Sequence, residues 1–135
     1  MLTSGAFTAG QFLFLVQHVL RLRQSEPQEM AIARVDDLPV GGSLLFKYPP
    51  DSPARLLVRV NENTFVAYEQ QCTHLTCPVI PAVDEGELHC PCHHGVFDLL
   101  TGRPLAGPPR RPLARVILEV RGDMVYAVGI EERTV

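Results

Sequence analysis

The chain has 135 residues, enough for one domain with its own apolar core. Hydrophobic residues make up 46% and charged residues 20%, which excludes an intrinsically disordered chain. The formal net charge is −3 and no basic run with interleaved aromatics occurs, so nucleic-acid binding is set aside.

Residues 2–20 (LTSGAFTAGQFLFLVQHVL) form the one long apolar segment, uncharged but diluted by Gln11, Gln17 and His18. Its length is near the ~20 residues that cross a bilayer. Arg21 and Arg23 close its end. A hydrophobic helix over 1–23 is expected, with two readings: a membrane-embedded or membrane-proximal anchor first, and an amphipathic helix docked on a partner protein second. No basic region precedes it, which argues against a cleaved signal peptide. LTSGAFTAG does resemble the middle of a twin-arginine-type leader, which raises the expectation of further residues before Met1.

A polar linker is expected over 24–29, around Pro27, with the body at 30–135. AIARV and SLLFKY read as strands separated by the turn-rich DDLPVGG, and PPDSP as a surface loop. RLLVRV and TFVAY flank NEN, a hairpin signal. DEGE (Asp84 to Glu87) reads as the tip of another hairpin. VFDL is a further strand, followed by a proline-rich loop. RVILEV and MVYAV, joined by RGD, make a last hairpin. Twelve prolines and ten glycines among these short runs point to an all-β body, a small antiparallel sandwich or barrel with little helix after residue 30.

Two hexapeptides hold the soft-ligand chemistry. CTHLTC (72–77) and CPCHHG (90–95) contain all four cysteines together with His74, His93 and His94, and His89 directly precedes the second. Paired Cys/His knots read as a metal site before they read as a disulfide framework. Cys72-x-His74 and Cys90-x-x-His93 each offer one thiolate and one imidazole. Zinc accepts such a Cys₂His₂ set, but zinc knuckles usually present like ligands in pairs. Here each knot is mixed, and each carries a spare cysteine.

C-T-H-L-T-C followed by C-P-C-H-H-G resembles the two cluster-binding boxes of Rieske iron–sulfur proteins, C-x-H-x₂-C and C-P-C-H. The boxes stand in the family's order, about fifteen residues apart, each on a loop between strand-like runs. The resemblance covers the body from about residue 30 and does not reach the amino-terminal segment. It implies a Rieske-type antiparallel β-sandwich or barrel with a cluster-binding loop subdomain, preceded here by the amino-terminal helix. It implies a [2Fe–2S] cluster, with Cys72 and Cys90 on one iron and His74 and His93 on the other. Cys77 and Cys92 match the positions that form a disulfide between the loops in respiratory and photosynthetic members. Leu75, Pro91, His94, Gly95, Phe97, Gly107 and Pro108 fall around the implied cluster, and His94 and His89 are expected not to be ligands. Gly107-Pro108-Pro109 resembles the proline loop that covers the cluster. Two imidazoles in place of two thiolates place Rieske potentials at roughly −150 to +300 mV.

Two departures bear on that potential. Where high-potential members carry Ser and Tyr, this chain has Gly95 and Phe97, so two hydroxyls that would hydrogen-bond cluster sulfurs are missing and a lower potential is expected. Asp98, Thr101 and Gly102 read as turn chemistry. The resemblance implies a one-electron carrier. The first functional reading is a subunit of a membrane-associated oxidoreductase complex. Its partners would be other subunits of that complex, with a quinone or a cytochrome, or a molybdenum oxidoreductase or hydrogenase. The second is a soluble Rieske ferredoxin feeding an oxygenase. The third is a zinc-stabilised interaction module. No Ser/His/Asp order, phosphate-cradling glycine loop or paired carboxylates accompany the knots, so no catalytic activity of its own is expected. The arginines after the apolar segment favour the cytoplasmic face for the body, whereas a disulfide argues for an extracytoplasmic one; the charge bias is given the greater weight.

Overall fold

The computed structural model describes residues 4–24 and 28–133. Residues 25–27 of the expected linker over 24–29 thus fall outside the described residues. Helix α1 spans Ser4–Gln24. Among the described residues no helix is long and apolar enough to cross a membrane. Phe12, Leu13, Phe14 and Leu15 are exposed. They occupy successive positions about 100° apart, so the apolar groups wrap round the helix instead of lining one stripe.

The body is all β. Strands β1 (Met30–Arg34), β2 (Ser43–Lys47), β3 (Ala54–Arg59), β4 (Phe65–Glu69), β9 (Arg115–Arg121) and β10 (Met124–Glu131) form a six-stranded antiparallel sheet, in the order β1-β10-β9-β4-β3-β2. Strands β5 (Ile80–Ala82), β6 (Glu87–Cys90), β7 (Gly95–Asp98) and β8 (Pro104–Ala106) form a second antiparallel sheet in chain order. The hairpins expected at NEN and RGD are the β3–β4 and β9–β10 turns, the latter with Gly122 at φ +60°. At DEGE the chain makes a 3₁₀ turn over Val83–Glu85, and Gly86 at φ +71° turns it into β6. Strand β8 falls inside the stretch read as a proline-rich loop. Only three residues long and opening on Pro104, it lacks the apolar alternation that signals a strand.

The central strands explain the sequence pattern. In β3, Arg55-Leu56-Leu57-Val58 is buried without a break, and in β4 Val66-Ala67-Tyr68 is likewise. Both faces of these strands are covered, so apolar residues occupy both parities and strict alternation is lost. Leu57 and Ala67 join Leu38, Tyr48, Val116, Val125 and Ala127 in one cluster. Met30 and Ile32 of β1 and Leu44 and Phe46 of β2 pack on that same cluster, so the two edge strands share one core and the sheet curls around it. Leu56, Val58, Val66 and Tyr68 face the other way. They pack with Cys72, Val79, Leu88, Cys90, Phe97, Leu99 and Leu113 between the two sheets. The second sheet and its loops are thereby fastened to the outer face of β3 and β4.

Candidate metal centre

The first loop closes on itself. It leaves β4, makes an isolated bridge between Gln71 and Pro78, and returns into β5. Cys72 N–H donates to the Cys77 carbonyl at 2.7 Å, and Thr76 N–H to the Cys72 carbonyl at 3.0 Å. Thr76 completes the turn at φ +59°. The second loop, 91–94, joins the paired residues Cys90 and Gly95 at the ends of β6 and β7. His94 closes it at φ +56°, a left-handed conformation that glycine adopts without strain. This gives His94 a backbone role in the turn.

The four residues expected as ligands separate into two pairs. Cys72 and Cys90 are 3% and 2% exposed and belong to the core between the sheets. His74 and His93 are exposed, with ring centroids 4.9 Å apart and planes at 89°. Burial pushes the Cys72 thiol above its usual range. The His74 N–H pulls it back, the neighbouring Cys90 thiol adds to the rise, and the Leu75 N–H again lowers it. Two backbone donors therefore already point at the sulfur that would carry charge as a metal ligand. Cys77 and Cys92 form a disulfide (S–S 1.99 Å, Cα–Cα 6.4 Å) that joins the two loops.

The donor set fits a binuclear cluster better than a single ion. A tetrahedral zinc holds its four donors roughly 3.3–3.8 Å from one another, given Zn–S and Zn–N bonds of about 2.3 and 2.0 Å. Among the described residues, no three of Cys72, His74, Cys90 and His93 bring one donor atom each within 4.8 Å of one another. A buried thiol pair set behind an exposed imidazole pair suits two irons side by side, one served by each pair.

The proline segment lies against the second loop. A Cβ on Gly107 (φ +84°) would stand 2.6 Å from the His94 carbonyl oxygen. A Cβ on Gly95 would stand 2.8 Å from Pro109 Cγ and 3.3 Å from Cys90 Cβ. Position 95 is thus closed to the serine of high-potential members unless Pro109 moves. Phe97 is fully buried in the cluster that holds both free cysteines. Pro91 and Pro108 are exposed at the loop tips, and Leu75 is 57% exposed. His89 lies apart from these groups: strand alternation turns Leu88 and Cys90 into the core and His89 outward, where its Nε2 is 2.7 Å from Glu87 Oε2.

A Rieske [2Fe–2S] domain profile matches residues 28–118. The chain is a Rieske protein. Rieske domains bind a [2Fe–2S] cluster, which is this chain's cofactor and which displaces the zinc-module reading. The Rieske chain is 38% identical over 97 residues to a carotenoid phi-ring synthase of Chlorobaculum tepidum, but spans only 14% of that protein's length. It is 30% identical over 125 residues to an iodate reductase subunit of Denitromonas iodatirespirans, covering 83% of this chain and 68% of the relative. Among solved structures, the plasma-membrane Rieske protein of Synechocystis PCC 6803 superimposes with a TM-score of 0.62 at 27% identity, over 76% of this chain and 99% of that one. The ferredoxin of carbazole 1,9a-dioxygenase from Nocardioides aromaticivorans does so at 0.65 and 25%, over 76% and 98%. As a Rieske protein the chain is an electron carrier.

Sequence reasoning passed over several residues that shape the site. Thr73 Oγ donates to the Arg111 carbonyl at 2.9 Å and ties the first loop to the proline segment. Pro109, part of the proline loop the sequence did suggest, is buried against Gly95. Arg110 and Arg111 flank a cleft beside His74. The available signal was the Pro-Pro-Arg-Arg-Pro run itself, two adjacent cations in an acidic chain. Asp98 and Thr101 do form the expected turn: Thr101 N–H and Oγ1 both donate to Asp98 Oδ1 at 2.7 Å.

Proposed function

We propose that Cys72 and Cys90 hold one iron and His74 and His93 the other, and that the chain is the electron-carrying subunit of an oxidoreductase complex. The observation that carries this reading is the burial of the thiol pair behind the exposed imidazole pair. The bound cluster supplies one-electron exchange between ferric and ferrous iron. The protein's own groups do the rest. The apolar core around Cys72 and Cys90 keeps water from the sulfur side, while His74 and His93 present imidazole edges to solvent, where a partner can approach. The His74 and Leu75 N–H groups stabilise charge on the Cys72 sulfur, and the Cys77–Cys92 bridge holds the loops in register.

Support for a dedicated subunit comes from the similarity to the iodate reductase subunit over most of both chains. In this reading α1 is the attachment element, its exposed Phe12, Leu13, Phe14 and Leu15 resting on a neighbouring subunit at a membrane surface. With no hydroxyl at Gly95 or Phe97 to bond a cluster sulfur, the potential falls below that of cytochrome bc-type Rieske subunits. A second reading, a ferredoxin delivering electrons to an oxygenase, is favoured by the overlap with the carbazole dioxygenase ferredoxin over nearly the whole of that chain.

A redox titration followed by low-temperature EPR tests both. A rhombic reduced-state signal titrating above 0 mV, short of the upper end of the approximately −150 to +300 mV Rieske range, is expected for the subunit. A midpoint near −150 mV would select the ferredoxin reading. A value among the highest of the range would refute the role given to the missing hydroxyls.

A further inference from the structure

The two loops that present the imidazoles carry no formal charge: residues 70–83 and 88–97 contain no Asp, Glu, Lys or Arg. The adjoining segment 99–118 contains Arg103, Arg110, Arg111 and Arg115 and no carboxylate. Arg110 and Arg111, both exposed, line a cleft of about 430 Å³ with Thr73, His74 and Pro108. Other arginines are already engaged. Arg34 pairs with Asp123 and Arg121 with Glu29 and Glu119. Arg59 donates to the Val35 and Leu38 carbonyls, and Arg133 to those of Thr101 and Leu113. Among the described residues no hydrogen bond or ion pair engages the guanidinium of Arg110 or Arg111. Their backbone is fixed by the Thr73–Arg111 bond and by the buried Pro109 and Pro112 on either side. A chain of net charge −3 thus places two free, positioned cations beside the imidazole through which the electron would leave.

Resting on the assignment of His74 as an iron ligand, we propose that Arg110 and Arg111 make this face a docking surface for a redox protein whose own docking face is acidic. Two cations at the contact steer an acidic partner toward the His74 edge. The net negative charge of the rest of the chain disfavours other approaches. The steering is local and screened: the Debye length falls from about 30 Å at 0.01 M salt to about 8 Å at 0.15 M.

Stopped-flow oxidation of the reduced holoprotein tests this, with an acidic blue-copper protein and a basic cytochrome c as the two oxidants. The rate constant with the acidic oxidant is expected to fall roughly tenfold between 0.01 and 0.2 M salt, and that with the basic oxidant to rise. The R110E/R111E variant is expected to reverse both salt slopes, and R110K/R111K to keep them. Visible and EPR spectra taken beforehand verify the cluster in each variant. A wild-type rate with the acidic oxidant that rises with salt, as the net charge alone would dictate, overturns the proposal. So does an unchanged slope on charge reversal. A colourless, EPR-silent wild type would overturn the proposed function, and this docking face with it.

Discussion

The two sheets of this molecule are held together by different means. In the six-stranded sheet the strands run five to eight residues, and β9 and β10 pair from Arg121 opposite Met124 to Arg115 opposite Glu131 with one bulge between Ala127 and Gly129. Leu57, Ala67, Val116, Val125 and Ala127 fill its interior, so area removed from water dominates its stability. In the four-stranded sheet the strands are three or four residues long and pair over as few as two positions. Its loops depend on a disulfide, on inward backbone hydrogen bonds and on close contacts with the proline segment. Where ladders are too short to fix a loop, covalent and metal–ligand cross-links do so. Two loops proposed to carry metal ligands must hold their geometry on such short strands, and the disulfide and the proline contacts meet that need.

That contrast can be broken most severely at a proposed ligand. Cys90→Ser is expected to abolish the cluster's visible and EPR signals altogether, while the far-UV circular dichroism of the six-stranded sheet persists. Collapse of both together would show that the sheets do not differ as described. Removing the bridge with Cys77→Ser and Cys92→Ser should cost about 3 kcal/mol in the stability of the loop region, as expected for the 15-residue separation it closes. The check is the urea concentration at which the cluster bleaches, compared with that at which the main sheet unfolds; only the first should move far.

Smaller effects sharpen the boundary between the regions. Gly107→Ala places a Cβ 2.6 Å from the His94 carbonyl at φ +84°, and should cost about 1–3 kcal/mol, seen as faster cluster loss on heating. Tyr68 belongs to the main sheet, yet its hydroxyl donates to the Leu99 carbonyl just beyond β7 at 3.0 Å. Burial pushes its pKa up to about 12. Tyr68→Phe should therefore cost about 1 kcal/mol and lower the denaturation midpoints of both regions, since it cuts a tie between them.

The smallest effect is set by pH. Hydrogen bonding from Thr101 holds the Asp98 carboxyl below its ordinary range. Its contribution is complete above the unfolded carboxylate value near 4 and fades as pH falls through the lower folded value. Solvent screening keeps it under about 1 kcal/mol. The stability gap between wild type and Asp98→Asn should accordingly be measurable at pH 7 and close below about pH 3. A gap that widened on acidification would rule out this account.

Much of the site was legible because it rests on side-chain identity at short range. Cys72, His74, Cys90 and His93 stand at fixed spacings inside two hexapeptides, and the chemistry of thiolate and imidazole is carried by the residues themselves. The NEN and RGD hairpins were legible for a similar reason: turn residues between apolar runs act within a few positions. Strand β8 and the reach of α1 were not. Pro104–Ala106 is a strand only because β7 offers it an edge, and among the described residues no helix is long and apolar enough to cross a membrane.

The amino-acid sequence by itself determined the all-β body, and the resemblance of its two hexapeptides to the Rieske boxes implied the cofactor class and the proposed donor set. The tertiary structure alone decided that the thiols face the core and the imidazoles face solvent. It also decided that a side chain at Gly95 would press on Pro109, and that Arg110 and Arg111 stand beside His74. Those facts depend on segments far apart in the chain, such as Thr73 and Arg111 at a separation of 38 residues, coming together. The physical reason is that burial and charge proximity belong to the packed chain as a whole, and short-range pattern carries no record of which distant segment will cover a given face.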